Sequence, residues 1–188
     1  RIGMSRNIIA QKALERGFDI LVMIDPDMSP DCYFGNPKYP LAQKFFTSSL
    51  NFLLENPMCV IGAPAVKEAG APNVFTRDDA GVLRRISPEV AARLHAEPHF
   101  QEVVAVGTGL IMIDMLAFKR VDKPWFYDHY KTEDQEGLAM SQDTVFTRNC
   151  TEYGIHVFCN WYAWAGHWKM QMLGVAELAV GGDPGRVG

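Results

Sequence analysis

The sequence predicts an α/β fold in three layers, in which helices cover both faces of a mixed, mostly parallel central sheet. Short apolar segments alternate along the chain with longer segments whose apolar residues recur at helical spacing, and this alternation is typical of that class. Residues 20–24, Ile-Leu-Val-Met-Ile, are apolar on both faces, which indicates a strand buried in the middle of a sheet. A chain of 188 residues, 48% of them hydrophobic and 21% charged, can form one domain with a sizeable core.

Each predicted element begins and ends at a residue that favours a cap or a turn. Ser5 is a common helix N-cap residue, Gly17 suits the left-handed position that ends a helix, and Pro57 cannot continue one. On such signals the predicted elements are a helix over 6–16, a strand over 18–24, a loop over 29–40, a helix over 41–55, a strand over 59–64, a strand over 103–114, a short helix over 115–121, a helix over 142–153 and a strand over 155–159.

A single domain is predicted over residues 1–180, followed by a Gly-rich tail over 181–188 that we expect to be flexible. Inside the domain, residues 65–100 are polar and interrupted by glycines and prolines. We expect them to form a mobile insertion over one edge of the sheet, with a turn at Gly81 and a short helix near 88–95.

Composition excludes several classes of partner. The net charge of −4 argues against nucleic acid as the main partner, because a phosphate backbone requires a basic surface. No apolar run approaches the roughly 20 residues of a membrane-spanning helix, and no secretory signal is present. The four cysteines show neither C-x-x-C pairs nor zinc-site spacing, which favours buried thiols and a reducing, cytoplasmic setting. The oligomeric state is not determined by the sequence.

Two carboxylates one residue apart, Asp25 and Asp27, follow the buried strand directly. In open α/β sheets, ligands bind at the carboxyl ends of the strands. The two carboxylates repel each other unless positive charge lies between them, and a hard divalent cation with oxygen ligands is the simplest candidate. The alternative is a turn without a ligand, because Asp and Pro are ordinary turn residues.

Three further motifs follow in order. Gly107-Thr108-Gly109 interrupts an apolar strand, which indicates either a β-bulge or a place where a ligand approaches the backbone closely. Ser141-Gln142-Asp143 opens a helix, where Ser141 or Asp143 could alternatively be only an N-cap. Gly166-His167 follows a run of aromatic residues, and the alternative role for His167 is a hydrogen-bonded histidine within that aromatic cluster.

Taken in order along the chain, these motifs resemble those of GT-A-type glycosyltransferases, and they are most similar to the family-2-like proteins common in bacteria and phages. The matching segments are Ser5-Arg6-Asn7, Ala13-Leu14, Gly17, Asp19, Ile24-Asp25-Pro26-Asp27, the Gly-x-Gly strand at 107–109, the Pro-Trp-Phe segment at 124–126, the acidic helix start at 141–143 and the Gly-His pair at 166–167. The resemblance covers most of residues 5–168. Gln142 departs from the pattern, since the family generally has Glu there, and we expect the chain to lack the N-terminal strand–helix unit that normally binds the nucleotide base.

The resemblance implies an enzyme that moves a sugar from a nucleotide-sugar donor, a UDP- or GDP-sugar, to a hydroxyl-bearing acceptor. It implies Mn²⁺ or Mg²⁺ held by Asp25, Asp27 and His167 and bridged to the donor diphosphate, where the cation would stabilise the charge that develops on the leaving group. It also implies that Arg6 and Asn7 approach the diphosphate or the nucleotide.

On the acceptor side, the resemblance implies that Asp143 is the general base of an inverting reaction, taking the proton of the attacking hydroxyl. The residues it places around the sugars are Gly107, Thr108, Gly109, Trp125, Phe126 and Gln142. A plain bulge for the glycines and a place in the core for the two aromatic rings are the alternatives. Glu133 and Asp134 form a rival carboxylate pair in a polar loop.

Three other interpretations remain at this stage. A HAD-type phosphohydrolase also carries D-x-D after a buried strand, with Asp25 as nucleophile, but it leaves the Gly-Thr-Gly strand and the Gly-His pair unexplained. A sugar nucleotidyltransferase requires a Gly-rich N-terminal loop that this sequence does not have. A non-catalytic carbohydrate-binding or structural domain derived from the same fold would bind sugar without depending on Asp143.

Overall fold

The computed structural model describes residues 2–68, 71–130 and 138–168. The helices in these ranges are α1 (Ile2–Glu15), α2 (Phe45–Glu55), α3 (Pro88–Ala96), α4 (Ala117–Arg120) and α5 (Gln142–Glu152). The strands are β1 (Ile20–Ile24), β2 (Met28–Ser29), β3 (Cys59–Gly62), β4 (Val66–Glu68), β5 (Ala71–Pro72), β6 (Val74–Arg77), β7 (Leu83–Arg85), β8 (Phe100–Glu102), β9 (Ala105–Val106), β10 (Leu110–Asp114), β11 (His129–Tyr130), β12 (Leu138–Met140), β13 (His156–Asn160) and β14 (Gly166–His167). Helices and strands alternate along the chain, as predicted.

The central sheet has five strands in the order β1-β10-β3-β13-β8. Strands β1, β3 and β13 run in one direction, and β10 and β8 run in the other, so the sheet is mixed. Of the neighbouring strands in this sheet, β3 and β13 are parallel. Strand β10 is antiparallel to both β1 and β3, and β8 is antiparallel to β13. The register pairs Ile24 with Leu110, so the residues just after β1 meet those just before β10.

Two apolar clusters lie on opposite faces of this sheet and give the fold its three layers. On β10, Ile111 and Ile113 belong to the cluster that α1, α3, α4 and α5 cover, whereas Leu110 and Met112 belong to the cluster under α2. This alternation follows from the two-residue period of a strand, which sends successive side chains to opposite faces. All four side chains are at most 3% exposed, and burying each contributes about 1.5–3 kcal/mol.

Helix α1 begins earlier than predicted and buries a different face. Helical spacing in the sequence predicts Ile8, Ile9, Ala13 and Leu14 on one inward face. Ala13 is buried as predicted, but Ile8 and Ile9 are 47% and 49% exposed, and the other buried residues of α1 are Arg6 and Ala10. The spacing of Arg6, Ala10 and Ala13 by four and three residues puts all three on one side of the helix. Because the helix starts at Ile2, Ser5 lies inside it and is not its N-cap, which corrects that prediction.

The predicted strand over 103–114 is divided at Gly107–Gly109. The part before the glycines, β9, pairs with β6 in a separate three-stranded sheet, and the part after them, β10, pairs with β1 and β3. The glycines therefore lie where the chain passes from one sheet to the other.

Within residues 65–100, the described part packs on the rest of the chain. Val74, Ile86, Ala91 and Leu94 are at most 8% exposed and belong to the same cluster as Ile111. The proposed tail and the rival pair Glu133 and Asp134 lie outside the described residues. None of the helices in the described ranges is long and apolar enough to cross a membrane.

Candidate functional site

A buried arginine, Arg6, joins the two ends of the predicted site. Its side chain is 5% exposed, and its Nη2 atom donates to both carboxylate oxygens of Asp25, at 2.6 and 2.7 Å. Its Nη1 atom donates to Asp143 Oδ1 at 3.1 Å and to Gln142 Oε1 at 2.9 Å. Hydrogen bonds between charged groups are about twice as strong as neutral ones. Arg6 therefore holds together carboxylates that lie 118 positions apart in the sequence.

Three elements deliver these side chains to one edge of the sheet. Asp25 follows the end of β1, Arg6 projects from the buried face of α1, and Asp143 lies in the first turn of α5. The segment at 107–109 connects them, because Asp25 N donates to Gly109 O at 2.7 Å and Thr108 N donates to Asp143 O at 2.9 Å. The predicted convergence of the strand end, the Gly-Thr-Gly segment and the helix start is therefore present in the fold.

The three predicted metal ligands are not grouped together in the described part of the structure. The sequence argument required positive charge beside Asp25, and Arg6 supplies it with both oxygens of that carboxylate engaged. Among the described residues, no group of three or more His, Cys, Asp or Glu side chains is arranged to hold a metal ion. Asp25, Asp27 and His167 thus do not form a joint ligand set.

Asp27 and His167 do meet, as a pair. Nε2 of His167 lies 3.0 Å from Oδ2 of Asp27, at a place where β14 pairs with β2 and Trp168 N donates to Asp27 O at 2.8 Å. The Asp27 side chain is 50% exposed and that of His167 is 16% exposed. The other ring nitrogen of His167, Nδ1, is buried without a hydrogen-bond partner among the described residues.

The site carries excess negative charge. Asp25, Asp27 and Asp143 contribute three negative charges and Arg6 one positive charge, which leaves two negative charges when His167 is neutral. The two carboxylates that contact Arg6 are 29% and 27% exposed, so water reaches them as well. A divalent cation would balance that charge.

The Asn7 side chain has a structural role, which occupies the groups that the predicted nucleotide contact would need. Its Nδ2 atom donates to Gly3 O and Phe126 O, both at 2.8 Å, and its Oδ1 atom accepts from Trp125 N at 3.0 Å and Phe126 N at 3.1 Å. A side-chain amide has two donor hydrogens and two acceptor positions, and all four are used here. This corrects the prediction that Asn7 approaches the nucleotide.

The glycines at 107 and 109 make room for side chains of the protein itself. A Cβ atom at Gly107 would lie 1.9 Å from Asn73 Nδ2, and one at Gly109 would lie 2.1 Å from Met28 Cε. Thr108 between them is fully buried, and its Oγ1 has no hydrogen-bond partner among the described residues. Asn73 and Met28 thus fill the space beside Gly107 and Gly109, whereas a sugar contact at Thr108 is left as a prediction.

The rings of Trp125 and Phe126 lie in the core, which was the alternative for them. Each residue is 2% exposed. They pack around Phe118, with ring centroids 4.9 Å and 6.2 Å away, and Phe126 also contacts Phe146 at 4.6 Å. This burial favours the core role for the two rings, and the stacking of a sugar on them stays a prediction.

The start of α5 is capped from outside the helix. Ser141 occupies the N-cap position but makes no side-chain capping hydrogen bond, and Gln142 N donates instead to Asp128 Oδ1 at 2.9 Å. The Gln142 side chain contacts Arg6 and donates to Asp143 Oδ1 at 3.3 Å. Gln142 thus belongs to the arginine network, and a neutral amide there avoids a third carboxylate around one guanidinium.

Sequence reasoning missed the ion pairs of Arg6 and the capping role of Asp128. The signal for Arg6 was present, because Arg6, Ala10 and Ala13 share one helix face and a buried arginine needs carboxylate partners. No local pattern marks Asp128, which lies 14 positions before the amide that it caps.

Two clefts of the described structure lie apart from the acidic cluster, the name used here for Asp25, Asp27 and Asp143. One of about 720 Å³ runs along α1 and residues 123–126, and one of about 510 Å³ is lined by aromatic residues. Neither is lined by Asp25, Asp27, Asp143 or His167.

No family model matches the sequence, and no curated protein matches it either. The fold is similar to that of A197 from STIV, with a TM-score of 0.59 and 16% identity over 90% of this chain and 69% of that one. It is also similar to GalNAc-T7, solved with UDP, GalNAc and Mn²⁺, with a TM-score of 0.55 and 13% identity. That match covers 90% of this chain and 31% of GalNAc-T7. The similarity confirms the predicted GT-A-like α/β fold.

Proposed function

We propose that this chain is the GT-A-like catalytic part of a glycosyltransferase, which moves a sugar from a nucleotide-sugar donor to a hydroxyl acceptor. The observation that carries the proposal is that one buried arginine joins Asp25, at the end of β1, to Asp143, at the start of α5. Two residues after Asp25, Asp27 pairs with His167. A structure of similar fold holds UDP, GalNAc and Mn²⁺, which makes UDP-sugars the first donors to test and GDP-sugars the second.

Asp27 and His167 are the residues that would hold Mn²⁺ or Mg²⁺. Their facing atoms, Asp27 Oδ2 and His167 Nε2, are 3.0 Å apart and hydrogen-bonded to each other. A carboxylate oxygen is a usual ligand of Mg²⁺ and Mn²⁺, and the imidazole nitrogen would be the second protein ligand. When bound, the ion would supply positive charge where negative charge develops on the departing diphosphate.

Asp25 has a different role in this proposal. Its two oxygens are held by Arg6, so it fixes the guanidinium at the end of β1 rather than binding a cation. Arg6 in turn positions the side chains of Gln142 and Asp143. Asp25 and Arg6 are therefore positioning residues for the acceptor side of the site.

Asp143 is proposed as the general base of an inverting reaction. The acceptor oxygen forms a bond to the anomeric carbon, the bond from that carbon to the diphosphate oxygen breaks, and its electron pair leaves with the nucleoside diphosphate. The hydroxyl proton passes to a carboxylate oxygen of Asp143. Arg6 contacts Asp143 Oδ1 at 3.1 Å and so fixes the orientation of the carboxylate.

The same ion pair favours a second candidate, a non-catalytic carbohydrate-binding domain of this fold. The Arg6 guanidinium, 3.1 Å from Asp143 Oδ1, and the Gln142 amide, 3.3 Å from it, both engage an oxygen that a general base needs for the acceptor proton. The phosphohydrolase interpretation is disfavoured for a related reason, because Arg6 engages both oxygens of the Asp25 carboxylate that would be its nucleophile.

The proposed location is a reducing, cytoplasmic compartment. All four cysteines are free thiols, and Cys59, Cys150 and Cys159 are at most 1% exposed. Thiols of this kind are usual where disulfides do not form.

A thermal-shift screen tests the donor site. The melting temperature of the wild type is measured with UDP-, GDP-, CMP- and dTDP-sugars, with and without Mn²⁺, and the screen is repeated on Asp27→Asn. A ligand at about 100 times its dissociation constant stabilises the native state by about 2.7 kcal/mol, which corresponds to roughly 5–11 °C for a domain of this size. Asp79→Asn, which changes an exposed carboxylate in a distant turn, is the matched control.

The proposal expects a shift for one nucleotide class that requires Mn²⁺, is lost in Asp27→Asn and is kept in Asp79→Asn. A wild-type protein that shifts with no donor, or an Asp27→Asn protein that shifts as the wild type does, would contradict the assignment of the site.

A further inference from the structure

The proposed chemistry does not use a cleft of about 510 Å³ that is lined by aromatic residues. Its walls come from the loop after β2, from α3 and from the segment after β13. We call it the aromatic cleft. The rings that line it are those of Tyr33, Tyr39, His95, Trp161, Tyr162 and Trp164. Its volume lies within the range of about 300–1,000 Å³ of small-molecule sites.

Two buried polar atoms of the aromatic cleft have no hydrogen-bond partner among the described residues. They are Nε1 of Trp164 and Nε2 of His95, and Trp164 is 8% exposed. The His95 ring is surrounded by other rings, with centroids 4.8 Å away for Tyr33, 4.3 Å for Tyr39 and 5.1 Å for Trp164. Buried polar groups normally have partners, so these two atoms indicate a place where a ligand supplies them.

The chemistry of the lining selects the ligand. An indole N–H can only donate, whereas an imidazole nitrogen donates or accepts according to its tautomer. A hydroxyl group both donates and accepts, so it satisfies either atom. None of the described residues lining the cleft is a carboxylate, and Lys38 is the charged residue at its rim, which disfavours a cationic ligand. Burial lowers the pKa of His95, so the imidazole is neutral at neutral pH and suits an uncharged partner.

We propose that the aromatic cleft binds a saccharide and is the acceptor subsite of the glycosyltransferase proposed above, on which this inference rests. One face of a pyranose ring is made of C–H groups and packs on aromatic rings, while its rim carries hydroxyls that would pair with Trp164 Nε1 and His95 Nε2. Together these two features match the apolar walls and the two unpartnered polar atoms of the cleft.

Short chain segments connect the walls of the aromatic cleft to Asp27 and His167. Cys32 donates to Trp164 O through its backbone N and its Sγ, both at 3.2 Å, and two residues further on Gly166 pairs with Ser29. The chain thus passes from the cleft wall to His167 within three residues, and from Asp27 to the opposite wall at Tyr33 within six. A saccharide in the cleft would therefore contact the same chain segments that carry Asp27 and His167.

Saturation-transfer NMR on the full chain tests this inference without donor or metal. The probes are cellotriose, maltotriose, mannotriose and chitotriose, each titrated to 10 mM, on the order expected for a weak single-site sugar complex. Tyr39→Ala removes a half-buried ring, and Trp164→Phe keeps a ring but removes the N–H. Tyr153→Ala, a half-exposed tyrosine on a different part of the surface, is the matched control.

The inference expects binding of at least one trisaccharide, weakened about tenfold in Tyr39→Ala and about threefold in Trp164→Phe, with the control within about twofold of the wild type. Binding of no trisaccharide, or equal binding by wild type and Tyr39→Ala, would overturn it. Donor-dependent thermal shifts of Tyr39→Ala separate the two proposals. If those shifts persist while sugar binding is absent, only the acceptor subsite is refuted. If sugar binds normally but no donor shifts the wild type, the transferase proposal is refuted.

Discussion

Replacing Arg6 by Met removes the charge that joins the two ends of the site while keeping a side chain of similar length. Arg6 donates four hydrogen bonds, two to Asp25 and one each to Gln142 and Asp143, and its side chain is 5% exposed. Methionine can still pack against the Phe126 ring, whose centroid is 5.9 Å from Arg6 Cζ. The variant therefore tests the ion pairs and not the packing.

The expected loss is about 2–4 kcal/mol in the free energy of unfolding. Removing one partner of a fully buried ion pair costs about 3–5 kcal/mol, because the other charge is left buried without compensation. Here Asp25 and Asp143 are 29% and 27% exposed, so water offsets part of that cost. A loss of about 3 kcal/mol corresponds to a melting temperature lower by about 6–12 °C in a domain of this size.

Chemical denaturation followed by circular dichroism measures this loss for Arg6→Met, Asp25→Asn and the double variant. Because Asp25→Asn removes a charge that Arg6→Met leaves unpaired, the double variant is expected to lose about 1.5–3 kcal/mol less than the sum of the single variants. Arg16→Met, an exposed arginine just after the same helix, is the control and is expected to change stability by less than about 0.5 kcal/mol. A loss below about 1 kcal/mol for Arg6→Met, with additive effects in the double variant, would refute the reasoning.

Three further predictions concern the glycine segment, the thiols and His95. Gly107→Ala is expected to destabilise the fold by about 1–3 kcal/mol. The loss is expected to be larger than for Gly109→Ala, because the new Cβ at 107 meets the buried side chain of Asn73, whereas the one at 109 meets the flexible end of Met28. Chemical denaturation of both variants measures the two losses, and equal stabilities would contradict the prediction. In the native protein, Ellman's reagent is expected to react with Cys32 alone, because the other three thiols are buried and burial raises the pKa of each. All four thiols are expected to react after unfolding. Two or more thiols that react fast in the native protein would contradict the described packing. Burial lowers the pKa of His95 below its usual 6.5, so the unfolded chain binds the proton more tightly than the folded protein does. The free energy of unfolding therefore falls as the pH drops below about 6.5. His95→Phe is expected to flatten that part of the stability–pH curve, and an unchanged curve would contradict it.

The position of the site at one sheet edge could be predicted because it depends on local patterns. The run that is apolar on both faces and ends at Asp25 shows where a buried strand meets solvent. Asp143 lies at a helix start, which shows where the helix that faces this strand end begins. These signals need no knowledge of distant contacts. They also explain why the α/β alternation and the mixed sheet were predicted correctly.

The partners of these residues could not be predicted, because each contact joins distant parts of the chain. Asn7 binds the backbone of residues 125–126, and Gly107 accommodates Asn73, so both motifs have a packing reason that only the folded chain reveals. The buried face of α1 was also missed, since large exposed side chains such as Ile8 outweighed small buried ones such as Ala10 in the pattern. That error concealed Arg6, which lies on the buried face.

Acceptor-dependent release of nucleoside diphosphate is the measurement that tests the central claim most directly. The full chain is incubated with Mn²⁺, a UDP-sugar panel and the trisaccharides, and UDP formation is compared between wild type and Asp143→Asn. The account predicts release that requires both metal and acceptor and that falls at least about 100-fold in Asp143→Asn, with Asp79→Asn as active as the wild type. No acceptor-dependent release from any donor, or undiminished release by Asp143→Asn, would contradict it.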